Sequence, residues 1–242
     1  MNALALDTSI SKITVAAKKG ENLVSLTLDL GMRQSEKLLP AIDYVLSQAE
    51  IAPSELDYTA LCSGPGSFTG LRLGFAALKA IEAAHGIPIY AVNSLDYYAA
   101  PFMDFGGAIL SVIDARKDKF FAKAFFKGKE IISCDDFELS DLSQKLEEFF
   151  QEKNSQGKES TGKESRAEIF VAGEAEIFVE ACARRNFLQG KKLLWAKGGA
   201  ANLKSLFDLA EEKIAHNEPR ILEYEGPQYF RASEAELKTA TK

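Results

Sequence analysis

The first hundred residues change period as they run. Residues 2–7, NALALD, form a short apolar run that ends at a polar turn. Residues 12–18, KITVAAK, and 22–30, NLVSLTLDL, are β-branched or alternate between apolar and polar. The three segments predict an antiparallel three-stranded meander. The period then lengthens. In SEKLLPAIDYVLSQAE, Leu38, Leu39, Ile42, Val45, Leu46 and Ala49 recur at helical spacing, with Ser35 as the expected N-cap. Pro40 removes one helical hydrogen bond and is expected to kink or delay this helix. A strand follows over 58–63, then the glycine-rich stretch SGPGSFTGLRLG, a helix over about 69–85 and the strand IPIYAV. The order β-β-β-α-β-α-β predicts a mixed sheet with helices on its faces.

The second half starts the same series again. Residues 107–115, 119–127 and 130–134 predict another meander, and 140–151 a helix. AEIFVAG, EAEIFVEACARRN, KKLLWA and AANLKSLFDLAEEKIAH then read as strand, helix, strand and helix. The repeat of one topology predicts an internally duplicated α/β protein. Its lobes are expected at 1–104 and 105–224, with a tail at 225–242 that is polar apart from Tyr229 and Phe230. Residues 152–166 contain no apolar side chain and predict a flexible surface loop.

The glycine stretch admits two readings. Gly64, Gly66 and Gly70 ahead of a helix N-terminus could present N–H groups to a phosphate. Yet neither a Walker A ending nor a dinucleotide fingerprint is present. Read as a helix, Gly70, Gly74, Ala77 and Ile81 make a small face at i, i+4, i+7 and i+11, with Ala76, Ala80, Ala83 and Ala84 nearby. Leu71, Phe75 and Leu78 make a bulkier one. Two helical glycines cost about 0.5–1 kcal/mol each, so close approach of another backbone is the expected return. That backbone lies either in this chain or in a neighbour.

Composition narrows the classes. With 242 residues and 46% hydrophobic content, the chain can bury a core without disulfides or metal. Cys62, Cys134 and Cys182 fit no metal or disulfide framework, which points to a reducing compartment. No run approaches the roughly 20 apolar residues of a membrane span, and a cytoplasmic protein is expected. The net charge of −6 argues against a chain whose main task is gripping nucleic acid. The basic pairs Lys18-Lys19, Arg184-Arg185 and Lys191-Lys192 are short and isolated.

LALDTS, SEKLLPAID, SGPGSFTGLRLG and IPIYAVNSLD, in this order and spacing, resemble the TsaB (YeaZ) family. IDARKDKFFA and GPQYFRASEAE resemble that family's later segments. The match is dense over residues 1–120 and sparse afterwards. The resemblance implies the duplicated actin-like ATPase and sugar-kinase fold, of ribonuclease-H-like lobes. It also implies a non-catalytic partner of TsaD, the subunit that transfers a threonylcarbamoyl group to a tRNA adenosine beside the anticodon. TsaE, an ATPase, joins the same assembly, and tRNA is met through the complex.

Pairing in that family runs through the first two helices of the N-terminal lobe. The residues so implied are Ser35, Leu38, Leu39, Ile42 and Leu46 on the first helix, and Gly70, Arg72, Gly74, Phe75, Ala77 and Ile81 on the second. The same helices could pair two copies of this chain.

Where TsaD-like proteins carry a His-x-x-x-His metal pair, this chain has Ser94 and Tyr98, so no metal is expected. His85 and His216 are each isolated in helix-like sequence. No catalytic residue is assigned, and no cofactor is required. ATP or ADP remains open: Asp7, Thr8 and Ser9 match the superfold's first phosphate turn, and Gly198-Gly199 its late adenosine turn. The second phosphate turn, DARKDK, offers Asp114 but no glycine. The alternatives to a scaffold are a small-molecule kinase or ATPase of the same superfold and a glycoprotease-like metallopeptidase.

Overall fold

In a computed structural model, residues 1–29, 33–156, 168–196, 203–222 and 224–230 are described, with the backbone alone at 154–156. They form two compact units. One holds residues 1–97 with the described residues from 203 onward, the other residues 98–196.

The first unit has a five-stranded sheet in the order β3-β2-β1-β4-β5. Its strands are β1 (Asn2–Asp7), β2 (Lys12–Lys19), β3 (Asn22–Asp29), β4 (Tyr58–Gly64) and β5 (Ile89–Asn93). β1, β2 and β3 pair antiparallel, while β4 and β5 run parallel to β1. Strand alternation sorts the side chains onto two faces. Leu4, Leu6, Ile13 and Val15 join a core with Leu38, Ile42, Val45, Phe75 and Leu78. Those residues come from α1 (Gln34–Gln48) and α2 (Phe68–His85). The short α3 (Ser94–Ala99) follows β5, with Asn93 Oδ1 accepting from the N–H groups of Leu95 and Asp96.

The second unit repeats the plan in the order β10-β9-β6-β7-β8. Its strands are β6 (Ala108–Arg116), β7 (Lys119–Phe126), β8 (Lys129–Glu138), β9 (Glu168–Gly173) and β10 (Lys192–Leu194). β6, β7 and β8 pair antiparallel, and β9 and β10 extend the sheet in parallel. Helices α4 (Leu139–Gln156) and α5 (Ala175–Arg185) cover one face around Phe120, Leu142, Leu146 and Phe178.

Five expectations are corrected. The last helix, α6 (Leu203–Ala215), packs on β1, β4 and β5 of the first unit, so the second lobe does not run on to residue 224. The small residues Ala3, Ala5, Ala16 and Ala60 make room for it. Glu211 then ties it down, accepting from Lys18 Nζ at 2.6 Å and Tyr58 Oη at 2.8 Å. The boundary near residue 104 falls instead at Tyr97–Tyr98. Residues 152–156 belong to α4, and the rest of the expected loop lies outside the described residues. Ser35 is not the N-cap of α1: the helix starts one residue before it and has no side-chain cap. Nor does Pro40 delay the helix, which begins six residues ahead of it and continues past it.

Candidate functional site

The glycine stretch meets the first β-turn of its own chain. After β1 the backbone turns through Asp7, Thr8 and Ser9, all buried. Asp7 Oδ1 accepts from the Ser9 N–H at 2.9 Å and the Ser9 hydroxyl at 2.6 Å, which fixes the turn. Ser67 caps α2: its N–H donates to the Ser9 carbonyl at 2.6 Å, and its hydroxyl accepts from the Gly70 N–H. A methyl group at Gly66 or Gly70 would overlap the Ser9 or Thr8 carbonyl. One at Gly74 would fall 2.6 Å from Thr8 Oγ1. The helix therefore lies directly on the turn, which only glycine permits. From the other side Gln34, at the start of α1, donates Nε2 to the carbonyls of Ile10 and Ser11, both at 2.9 Å. One turn thus fixes the starts of both helices.

The described end of the chain closes this hub. The Gln228 N–H donates to the Ser63 carbonyl at 2.8 Å. The Gln228 carbonyl leaves no room for a side chain at Gly64, whose φ of +119° already favours glycine. Tyr229 lies 4.9 Å from the Phe68 ring, and its hydroxyl accepts from Arg72 Nε at 2.8 Å. The Arg72 guanidinium also stacks on Phe68, 3.8 Å from the ring centre.

This arrangement divides the expected interface residues. Leu38, Ile42, Leu46, Phe75 and Ala77 belong to the first unit's own core. Gly70 and Gly74 allow close approach to Thr8 of the same chain. Ile81 is half-buried against that core. Ser35, Leu39 and Arg72 face outward. Sequence reasoning picked the inner side of α2 because its glycines are conspicuous. The outer side carries Arg72, Ala76, Ala80 and Ala83, all exposed. On α1, Leu39 is 60% exposed and Tyr44, which was missed, 52%. The signal for Tyr44 was available: it falls outside the apolar stripe yet is aromatic.

Asp7, Thr8 and Ser9 come together, but as a buried turn. Burial, and then the charge of Asp7, pushes the Cys62 thiol up, and the same two causes push up the Tyr97 phenol. Both are thereby held toward their protonated forms. Gly198 and Gly199 lie outside the described residues. Ser94 and Tyr98, at the positions of the metal pair, are buried. Among the described residues no three His, Cys, Asp or Glu side chains converge as a metal set. No described helix is long and apolar enough to cross a membrane.

Two β-β-β-α-β-α-β units, the first with its turn clamped by a glycine-started helix, define a duplicated α/β protein of the actin-like ATPase and sugar-kinase fold. Comparison with known proteins agrees. YeaZ from Pseudomonas aeruginosa superposes with a TM-score of 0.70 over 94% of this chain and 99% of that one, at 23% identity. A family model described as "TsaD: tRNA N6-adenosine threonylcarbamoyltransferase" matches residues 31–239. The chain is 32% identical over 122 residues to "tRNA threonylcarbamoyladenosine biosynthesis protein TsaB" of Bacillus subtilis, covering 50% of this chain and 53% of that protein. It is 35% identical over 96 residues to the protein of the same name from Buchnera aphidicola of Schizaphis graminum, covering 40% and 46%. The chain belongs to the family that this model describes, in its TsaB (YeaZ) branch. It spans about half the length of the curated relatives it matches.

Proposed function

We propose that this chain is a non-catalytic scaffold subunit in the synthesis of threonylcarbamoyladenosine on tRNA. It binds a TsaD-type catalytic subunit, and with it a TsaE-type ATPase, through the outer sides of α1 and α2. The observation that carries the reading is the contrast between the two sides of this helix pair. The inner sides are locked to the sheet and the Asp7–Ser9 turn, while the outer sides leave Leu39, Tyr44, Ala76 and Ala80 in solvent. Small residues on a helix let a partner backbone come close, and an exposed leucine and tyrosine supply apolar anchors. In the absence of the partner, two copies of the chain would use the same surface.

The scaffold reading is favoured over a kinase or ATPase by the turn itself. The Asp7 carboxylate accepts from Ser9, and the Thr8 hydroxyl is pressed against Gly74. A phosphate turn would need these side chains facing a ligand. The scaffold needs no nucleotide of its own. Reconstituted threonylcarbamoylation of tRNA, with TsaD-type and TsaE-type proteins of the same organism, tests the reading. Activity is expected only when this chain is added, and none from this chain alone. Full activity without it would sink the proposal.

A further inference from the structure

The second unit carries a turn equivalent to Asp7–Ser9 but leaves it open. Between β6 and β7 the register slips at Asp114–Arg116, and Arg116, Lys117 and Asp118 follow with φ of +68°, +59° and +58°. L-residues adopt this backbone reluctantly, and three in a row need holding in place. The holding groups are visible. The Asp114 carboxylate accepts from the Arg116 N–H at 2.8 Å, and Glu174 accepts from the Asp114 N–H at 2.8 Å. Asp118 receives two cations from the end of α5: Arg184 at 3.6 Å and Arg185 closer still.

The tip is basic in an acidic chain. Arg116, Lys117, Arg184 and Arg185 stand against the three carboxylates Asp114, Asp118 and Glu174, Arg116 lying 3.3 Å from Asp114, which leaves an excess of one positive charge while the chain as a whole carries −6. The side chains of Arg116, Arg184 and Arg185 are 84%, 70% and 55% exposed. Neighbouring Lys119 is balanced by Glu138 at 3.4 Å. Arg184-Arg185 looks like an isolated surface pair in the sequence; the fold brings it to the hairpin tip. One carboxylate shared by two guanidiniums orients them without cancelling them, which lowers the ordering cost of binding a further anion.

We propose that the β6–β7 tip and the end of α5 form a contact site for the phosphate backbone of RNA. The proposal rests on the tRNA-complex reading above, and it adds a surface by which this chain touches the RNA directly. Guanidinium forks suit phosphate oxygens, and such contacts position the RNA without reading its sequence.

The test is tRNA binding by the heterocomplex and by the isolated chain, measured by fluorescence anisotropy from about 50 to about 200 mM salt. The variant combines Arg116→Gln, Lys117→Gln and Arg184→Gln, which leaves Arg185 on Asp118. Lys204→Gln in the first unit is the control. The triple variant is expected to assemble normally and bind tRNA about tenfold more weakly, with a salt slope shallower by about two. Wild-type affinity and slope in the triple variant would overturn the proposal, as would an equal loss in the control. Failure of the underlying reading shows separately, as no heterocomplex before RNA is added. The isolated chain's salt slope then still decides for or against the site.

Discussion

The two turns that open the two sheets have the same place in the topology and opposite fates. The Asp7–Ser9 turn is buried under α2, because Gly66, Gly70 and Gly74 remove every side chain that would hold the helix away. Among the described residues, no such helix lies over the turn at Asp114–Asp118. Gly173 lies before α5, where it clears the Val112 carbonyl beside the Tyr98 ring, and Glu174 extends a carboxylate to the Asp114 N–H. A helix begun with glycines collapses onto its turn and fixes neighbouring helices. A helix begun with a carboxylate supports its turn from beside and leaves the tip in water. The difference explains why the first unit supplies the proposed docking helices and the second an exposed charged tip.

Filling the glycine notch should have the largest effect. Gly70→Val places atoms on the Thr8 carbonyl and is expected to cost about 3 kcal/mol or more. Gly74→Ala should cost about 1–3 kcal/mol, and Thr8→Ala should restore part of that loss by removing the hydroxyl it meets. Urea unfolding of the two single variants and the double variant measures the coupling. Strict additivity would mean that the helix does not rest on this turn.

In the second unit, Glu174→Ala is expected to cost about 1 kcal/mol, since it removes the hydrogen bond that its carboxylate accepts from the Asp114 N–H. A loss as large as that of Gly70→Val would erase the contrast between the turns. Tyr229→Ala removes the ring against Phe68 and the bond to Arg72, and should also cost about 1 kcal/mol. Faster hydrogen exchange at the start of α2 would report the release; unchanged exchange there would show that the tail does not clamp the hub.

The smallest effect concerns α6. Burial alone would raise the Glu211 carboxyl, but its bonds from Lys18 and Tyr58 bring it below the ordinary value. A depressed carboxyl stabilises the fold above its unfolded value, and that gain is lost as pH falls through the folded one. Between about pH 5 and about pH 3 the wild type should therefore lose more stability than Glu211→Gln, by under about 1 kcal/mol. Parallel pH profiles would remove Glu211 from the attachment of α6.

The strands and helices were legible because their periods are clean, although the start of α1 carries no cap signal. Ser67 and Gly86 bracket α2, and β1 carries the apolar run Ala3–Leu6 between Asn2 and Asp7. The residue-level face of α2 was not legible. Glycine at 70 and 74 announces close approach, but sequence does not say to what, and here the neighbour is Thr8 of the same chain. The return of α6 to the first sheet was missed for a similar reason. Its anchors Lys18, Tyr58 and Glu211 are far apart in sequence and ordinary in type. The docking of Tyr229 on Phe68 and Arg72 likewise joins residues more than 150 positions apart.

The most direct test of the central claim is sedimentation velocity of this chain with a TsaD-type subunit of the same organism, comparing wild type with Leu39→Asp and Ala76→Glu. Both positions are exposed, so folding should change by no more than about 0.5 kcal/mol. The account predicts a stable heterocomplex for the wild type and at least about tenfold weaker association for each variant. Wild-type association by both variants would contradict it, and no association by the wild-type chain would do so outright.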